Sequence, residues 1–190
     1  MSVIPDQAGP GLPGPVLETP VATAEAMQDL GRRLGARLRR GDLVVLTGDL
    51  GAGKTTFTQG LGEGLGVRGP ITSPTFVIAH VHPSLAEGGI PLVHVDAYRL
   101  GSLDELDDLD LDADVEQSVT VVEWGEGKAE VLADDRLDIV ISREFAEELD
   151  EPGDSDVRWV VLRGIGQRWT DADLAGLEDP DKDQDQDQAG

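Results

Sequence analysis

The sequence predicts an α/β fold with a central sheet of parallel strands and antiparallel additions. Three observations predict it: short apolar segments typical of buried strands recur along the chain, helical patterns flank the first of them, and strand patterns dominate the second half. Strands that alternate with helices are typical of parallel sheets, whereas strands that follow one another directly tend to pair antiparallel.

The first predicted element is an amphipathic helix. Met27, Leu30, Leu34 and Leu38 recur at helical spacing, while arginines occupy the other faces. Gly41 is a typical C-terminal stop, and the arginines that precede it suit the negative end of the helix dipole.

A buried strand is predicted at 43–47, because its residues are apolar on both faces. A glycine-rich loop follows this strand and leads into a predicted helix at 54–65. Glycines at 60, 62 and 64 weaken the support for this helix, since glycine is unfavourable in a helix interior.

Five more strands are predicted, at 75–81, 92–95, 119–122, 137–142 and 157–162. A loop rich in proline and glycine separates the first two of them. Helical patterns at 103–109 and 128–132 lie between later strands.

We expect one folded domain at 21–169 between two segments that do not fold. Residues 1–20 contain five prolines and three glycines without periodicity, which is typical of a flexible leader. The segment 170–190 is predicted to be a disordered acidic tail, since its last 13 residues hold six acidic side chains against one lysine.

The charge and composition exclude several classes of protein. The chain has 38 Asp and Glu residues against 15 Lys and Arg, a net charge of −23. Such a surface repels phosphate backbones and anionic lipids, so we expect no direct nucleic-acid binding and no membrane contact. Disulfides, thiolate catalysis and Cys-ligated metals are excluded because there is no cysteine. No apolar run approaches the roughly 18 residues of a membrane span and no secretory signal is visible, so we expect a cytoplasmic location.

A phosphate-binding motif lies between the first strand and the second helix, where the pattern G-x-x-x-x-G-K-[ST] is matched in full. The predicted nucleotide-binding residues of this loop are Gly48, Asp49, Leu50, Gly51, Ala52, Gly53, Lys54, Thr55 and Thr56. Glycines let backbone N–H groups turn toward phosphate oxygens, and the helix N-terminus adds positive potential. Lys54 is placed to reach the β- and γ-phosphates and the Thr55 hydroxyl to bind Mg²⁺. The motif predicts a P-loop NTPase-like three-layer sandwich.

Two apolar strands end in a carboxylate, one in Asp96 and the other in Glu123. A carboxylate at the end of a buried strand beside a phosphate loop is the usual position for holding Mg²⁺ or orienting water. The alternative for each is an ordinary strand-end residue that faces solvent.

Four weaker features each have both a functional and an ordinary structural interpretation. Thr75, in Ser-Pro-Thr, either senses a γ-phosphate or belongs to a turn, and Trp124 either covers a nucleotide or packs in the core. His80 and His82 share a strand face without a third ligand, so we interpret them as surface or edge residues and not as a metal site. The acidic segment 104–116 is either a solvated helix face or a docking surface for a basic partner.

The nucleotide is predicted to be ATP. The sequence contains no asparagine and therefore lacks the N-K-x-D element with which GTPases read guanine. A small-molecule phosphotransferase remains an alternative function, and a nucleotide-gated binding module without hydrolysis is another. Both would use the same phosphate loop.

Four motifs follow one another along the chain: the loop at 48–56, Ser-Pro-Thr-Phe at 73–76, His-Val-Asp-Ala-Tyr-Arg-Leu at 94–100 and Val-Glu-Trp-Gly-Glu at 122–126. In this order they resemble the TsaE (YjeE) family of bacterial ATPases, which are needed for threonylcarbamoyladenosine modification of tRNA. The resemblance covers about residues 26–141. It implies a small P-loop ATPase that works with the TsaD–TsaB protein complex and leaves the transfer chemistry to that complex.

The resemblance also implies roles for single residues. It places Lys54 on phosphate, Thr55 and Glu123 at Mg²⁺, and Asp96 near the metal or the attacking water. Thr75 and Trp124 would be neighbours of the nucleotide. Family members often have a threonine near the nucleotide in the first helix, and alignment on Gly31 puts Met27 there, with Thr23 one turn earlier.

Overall fold

In the computed structural model of the protein, the described residues form a mixed seven-stranded sheet with helices packed against it. The structure describes residues 13–72, 79–97, 116–125, 127, 129, 133–143 and 157–177. The elements are β1 Pro13–Val21, α1 Ala24–Gly35, β2 Leu43–Gly48, α2 Lys54–Leu65, β3 Ala79–His82, β4 Leu92–Asp96, β5 Val119–Glu123, β6 Arg136–Ser142, β7 Arg158–Ile165 and α3 Asp171–Ala175. No helix in these ranges is long and apolar enough to cross a membrane.

The strand order is β1-β7-β6-β2-β5-β4-β3, with a parallel centre and antiparallel edges. Strands β6, β2, β5 and β4 run parallel, while β7, β1 and β3 are antiparallel to their neighbours. Every residue of β4 and β5 is buried, as expected for central strands covered on both faces. The predicted fold class, a parallel centre with antiparallel additions, is confirmed.

Both faces of the sheet carry an apolar cluster. On one face, Leu46, Leu92 and Val121 belong to a large cluster that includes the buried sides of α1 and α2. On the other face, Val45 and Val93 belong to a smaller cluster with Ala129. Because side chains alternate along a strand, Asp96 and Glu123 lie on the face that α1 and α2 cover.

The helices α1 and α2 pack with their backbones in contact. A β-carbon at any of four glycines would overlap a carbonyl oxygen of the other helix: Gly31 with Phe57, Gly35 with Leu61, Gly60 with Gln28 and Gly64 with Arg32. Each glycine in a helix interior lowers the stability of the helix by about 0.5–1 kcal/mol relative to alanine. The predicted helix at 54–65 is confirmed despite its glycines, because close packing against α1 requires them.

The prediction of a flexible leader at 1–20 is wrong from Pro13 onward. Pro13–Val21 is an edge strand that pairs antiparallel with β7, and Leu17 and Val21 are buried in the main cluster. Proline is tolerated there because an edge strand leaves one row of backbone N–H groups unpaired. Residues 1–12 lie outside the described part of the chain.

The prediction of a disordered tail at 170–190 is wrong for its first eight residues. Thr170 begins α3 with a capping box in which Asp173 bonds back to the Thr170 backbone. Leu174 and Leu177 are buried in the main cluster. The described elements therefore begin at Pro13 and reach beyond 169 at the other end, and residues 178–190 lie outside the described part.

Other boundaries differ by a few residues. The helix α1 ends at Gly35 and not near Gly41, because a turn carries Leu38 into the core before β2 begins. The described part of the predicted strand at 75–81 is β3, Ala79–His82, and residues 75–78 lie outside the described residues. The helical pattern at 103–109 and nearly all of those at 104–116 and 128–132 lie outside the described residues.

Candidate nucleotide-binding site

The phosphate loop, Gly48 to Thr55, lies at the edge of the sheet where the parallel strands have their carboxyl ends. The last residue of β2 is Gly48, the last of β4 is Asp96 and the last of β5 is Glu123. Ligands of open α/β sheets bind at this edge, outside the carboxyl ends of the strands. The topology therefore brings the predicted loop and both predicted carboxylates to one place.

Glycine is required at several positions in the loop. Gly51 and Gly53 have φ angles of 78° and 113°, which favour glycine. At Gly48 a β-carbon would lie 2.5 Å from the Ile141 carbonyl oxygen, so only glycine lets the loop pass beside β6. The backbone is thereby free to fold around a ligand without side chains in the way.

The first turn of α2 is open to an anion. Its N-cap, Gly53, provides no side-chain cap, and the first turn contains no acidic residue. The first N–H groups of a helix have no partner within the helix, and the helix dipole places positive potential there. A phosphate group can accept hydrogen bonds from these N–H groups.

Lys54 lies at the centre of the site. Its ammonium donates to the carbonyl oxygens of Gly48 at 2.6 Å and Asp49 at 2.9 Å. It also lies 4.2 Å from the centroid of the Trp124 ring. Only 6% of the residue is exposed, and this burial lowers the pKa of the Lys54 amine, although the charges of Glu123, Asp49 and Asp96 oppose the shift.

The two carboxylates are direct neighbours on adjacent parallel strands. Asp96 is the register partner of Glu123, and Glu123 is also the partner of Leu46 in β2. Asp96 is 8% exposed and Glu123 is 3% exposed, so neither is a strand-end residue that faces solvent. An Oε1 atom of Glu123 lies 2.8 Å from Nε2 of His94.

Trp124 occupies an unfavourable backbone conformation. Its φ angle of 59° lies in the left-handed region, where a bulky residue is rare and strained. The Trp124 N–H donates to the Leu46 carbonyl oxygen at 3.1 Å, which holds the turn against the end of β2. The strained turn brings the indole beside the Lys54 amine.

Other predicted site residues are placed less centrally. Leu50 is 94% exposed at the tip of the loop, so only its backbone is available to a phosphate. Thr55 and Thr56 are half-buried in the first turn of α2. Thr75 lies outside the described residues.

The first helix contributes packing to the loop. Met27 is 1% exposed, and its Cε would lie 3.5 Å from a β-carbon at Gly53. Thr23 caps α1 by accepting a hydrogen bond from the Ala26 N–H at 3.1 Å. Met27 therefore supports the loop through apolar contact, and the Thr23 hydroxyl is occupied at the helix terminus.

Sequence reasoning missed two arginines beside the loop. Arg143, directly after β6, donates to the Gly51 carbonyl oxygen at 3.1 Å. The Cδ atom of Arg158, the first residue of β7, would lie 3.8 Å from a β-carbon at Gly53. Both follow from the parallel pairing of β6 with β2, since that pairing puts the residues around 142 and 158 at the loop edge.

The donor set suits Mg²⁺. Three carboxylates, those of Asp49, Asp96 and Glu123, lie near enough to Lys54 to oppose the lowering of its pKa. Mg²⁺ prefers oxygen ligands and is commonly held by one or two carboxylates together with phosphate oxygens and water. The described residues contain no cluster of three His, Asp or Glu side chains arranged around a metal.

Comparison with known proteins identifies relatives across most of the chain. Residues 21–150 match the model of the family described as "Threonylcarbamoyl adenosine biosynthesis protein TsaE". A Streptomyces coelicolor protein named tRNA threonylcarbamoyladenosine biosynthesis protein TsaE is 62% identical over 152 residues, which cover 80% of this chain and 99% of that protein. A Mycobacterium tuberculosis protein of the same name is 50% identical over 131 residues, 64% of this chain and 78% of that one. The crystal structure of Bacillus subtilis YdiB has a TM-score of 0.63 at 33% identity and covers 86% of this chain and 94% of its own.

Proposed function

The chain belongs to the TsaE family, and from that premise we propose that it binds ATP with Mg²⁺ in the phosphate loop and hydrolyses it to support threonylcarbamoyladenosine modification of tRNA. Membership in the family connects the chain with threonylcarbamoyladenosine biosynthesis. The observation that carries the finer proposal is the convergence of Lys54, Asp96 and Glu123 at the end of the parallel strands.

Phosphate binding is assigned to the loop backbone and to Lys54. The open first turn of α2 supplies N–H donors, and the Lys54 ammonium supplies the charge that reaches the β- and γ-phosphates. The lowered pKa of Lys54 reflects a buried ammonium, and an anionic phosphate would stabilise its charged form. Arg143 and Arg158 supply positive charge on the side of the loop away from the carboxylates.

Metal binding is assigned to Thr55 and Glu123, and water positioning to Asp96. When bound, Mg²⁺ would neutralise charge on the transferred phosphate. The Thr55 hydroxyl and the Glu123 carboxylate would hold the ion. Asp96, the register neighbour of Glu123, would orient the attacking water or the metal shell.

The partner is proposed to be a TsaD–TsaB-type protein complex. A net charge of −23 disfavours contact with tRNA, so the tRNA is left to the partner. An acidic ATPase of this kind acts on a protein complex in the cytoplasm. We therefore expect slow ATP turnover by the isolated chain and faster turnover when TsaD and TsaB are present.

The test compares Lys54→Ala with Lys182→Ala, a matched removal of one lysine outside the described residues. Calorimetry with ATP, with and without Mg²⁺, should show loss of binding only for Lys54→Ala, with unchanged circular dichroism. Turnover should then be measured with and without TsaD and TsaB from the same organism. Equal ATP affinity in the two variants would contradict the phosphate-loop assignment. A phosphorylated small metabolite would identify a phosphotransferase, and tight ATP binding without turnover under any condition would identify a nucleotide-gated binding module.

A further inference from the structure

A buried histidine contacts the candidate metal ligand. His94 lies in β4, two residues before Asp96, and its register partner on β5 is Val121, two residues before Glu123. The imidazole lies on the face that α1 and α2 cover, and Nε2 approaches Oε1 of Glu123 to 2.8 Å. His94 is fully buried and Glu123 is 3% exposed.

This contact is the only side-chain hydrogen bond that His94 makes among the described residues. The other ring nitrogen, Nδ1, is buried there without a hydrogen-bond partner. An unpaired polar atom in a protein interior costs free energy, so an apolar residue would pack more favourably unless the imidazole had a use. Among the described residues, the His94 side chain therefore forms its hydrogen bond with Glu123 alone.

Metal binding by Glu123 would set the direction of this hydrogen bond. A carboxylate that holds a cation is ionised and only accepts hydrogen bonds, so in that state Nε2 would carry the hydrogen and donate it to Oε1. With Oε1 engaged, the carboxylate cannot rotate freely, and Oε2 is left for a ligand. Partners that orient a metal-binding carboxylate in this way typically change metal affinity or activity by about 10–100-fold when they are removed.

We propose that His94 is a positioning residue for Glu123, which holds that carboxylate in the orientation needed for Mg²⁺. This inference rests on the proposed function, in which Glu123 binds the ion. The sequence alone could not distinguish this role from that of an ordinary buried strand residue, because the contact depends on the register of β4 against β5.

The test measures the gain in ATP affinity that Mg²⁺ produces, using calorimetry with ATP alone and with ATP plus Mg²⁺. His94→Leu removes the donor at similar volume, and it should leave metal-free ATP affinity within about two-fold while reducing the Mg²⁺ gain about ten-fold or more. His94→Gln can place an amide N–H near the former Nε2 position and should retain most of the gain. His94→Asn is polar but too short, and it should behave like His94→Leu.

A double-mutant cycle separates positioning from a general structural role. In a Glu123→Ala background, His94→Leu should cause no further loss of metal-free ATP affinity or of any Mg²⁺ gain that remains. A further, additive loss there would overturn the proposal, as would an unchanged Mg²⁺ gain in His94→Leu. If His94→Leu does not fold, His94→Gln and His94→Asn are compared instead. A Mg²⁺ gain that is retained in His94→Gln and reduced in His94→Asn supports the proposal, and an equal gain in the two overturns it.

The same data distinguish failure of this inference from failure of the proposed function. If Glu123→Ala abolishes the Mg²⁺ gain but neither His94→Leu nor His94→Asn changes it, only the positioning role is wrong. If Glu123→Ala leaves the gain intact, the metal role of Glu123 is wrong, and the positioning role is wrong with it.

Discussion

The ammonium of Lys54 lies against the face of Trp124, 4.2 Å from the ring centroid, while it donates to the Gly48 and Asp49 carbonyl oxygens. A cation over an indole gains about 0.5–2 kcal/mol, depending on how far it is desolvated. Phosphate groups in the loop would compete for the same ammonium. The contact therefore links the state of the loop to the surroundings of one tryptophan.

We expect ATP to change the fluorescence of Trp124. Phosphate binding should draw the Lys54 ammonium from the indole, and this alters the polarity around the ring. Titration of the protein with ATP should give a saturable change in emission, and Trp124→Phe should remove most of it. Trp169→Phe is the matched control and should keep the response, since the Trp169 ring lies at the other end of β7, beside Gly164 and Arg168. An equal response in Trp124→Phe and the wild type would contradict the expectation.

Gly60→Ala is expected to destabilise the protein by about 1–3 kcal/mol, because its methyl group would overlap the Gln28 carbonyl oxygen and force the helices apart. The measurement is the free energy of unfolding in urea. In the same helix, the new methyl group of Gly62→Ala would meet only side-chain carbons of Ile71 and Val67, which can move, and alanine gains helix propensity. Its change should therefore stay within about 1 kcal/mol. Similar losses in both variants would rule out backbone contact as the cause.

Truncation should separate α3 from the residues that follow it. Removal of 178–190 should leave the unfolding midpoint unchanged. Removal of 170–190 also deletes Leu174 and Leu177, which are 2% and 0% exposed in the core. Burial of each leucine contributes about 1.5–3 kcal/mol to the free energy of unfolding. Denaturant unfolding of the two truncated chains should differ by about 3–6 kcal/mol. A difference below 1 kcal/mol would show that α3 adds little to the core.

His82 should make stability depend on pH. Burial lowers the pKa of His82 below its usual value of 6.5, and the neighbouring charges of His80 and His94 lower it further. Since the unfolded chain then binds a proton more readily than the folded one, stability is complete above about pH 6.5 and falls as the pH drops below it. Thermal unfolding between pH 7.5 and 5 should show a shallower decline for His82→Gln than for the wild type.

His80→Gln is the graded control for this effect. It removes the second cause of the lowered His82 pKa and leaves the burial of His82 in place. Its decline with pH should lie between those of the wild type and His82→Gln. If His82→Gln follows the wild-type curve, another group is responsible for the decline.

The phosphate loop could be predicted from the sequence because its chemistry is local. The spacing of Gly48, Gly53 and Lys54 is set by one turn, and the apolar run before it identifies the strand that carries the loop. The carboxylates Asp96 and Glu123 could be predicted as strand ends for the same reason. Their burial and their pairing could not, since these depend on the order of strands in the sheet.

The features that sequence reasoning missed arise from contacts between distant segments. The strand β1 was hidden by its prolines, which are acceptable only because it lies at the edge beside β7. The hydrogen bond between His94 and Glu123, which are 29 residues apart in the chain, depends on the register of β4 against β5. The glycines of α2 weakened the helix prediction, and their purpose is visible only with α1 in place.

The glycine contact between α1 and α2 also affects how the phosphate loop responds to force. Where side chains separate two helices, the helices can shift slightly because the side chains can change rotamer. Two backbones in direct contact cannot adjust in this way. The helix α2 begins at Lys54, directly after the loop. A protein that displaced the loop on docking would therefore move α1 and α2 together as a rigid pair. Strain applied at the nucleotide would then reach the far end of α1, about 18 Å away at 1.5 Å per residue over its 12 residues.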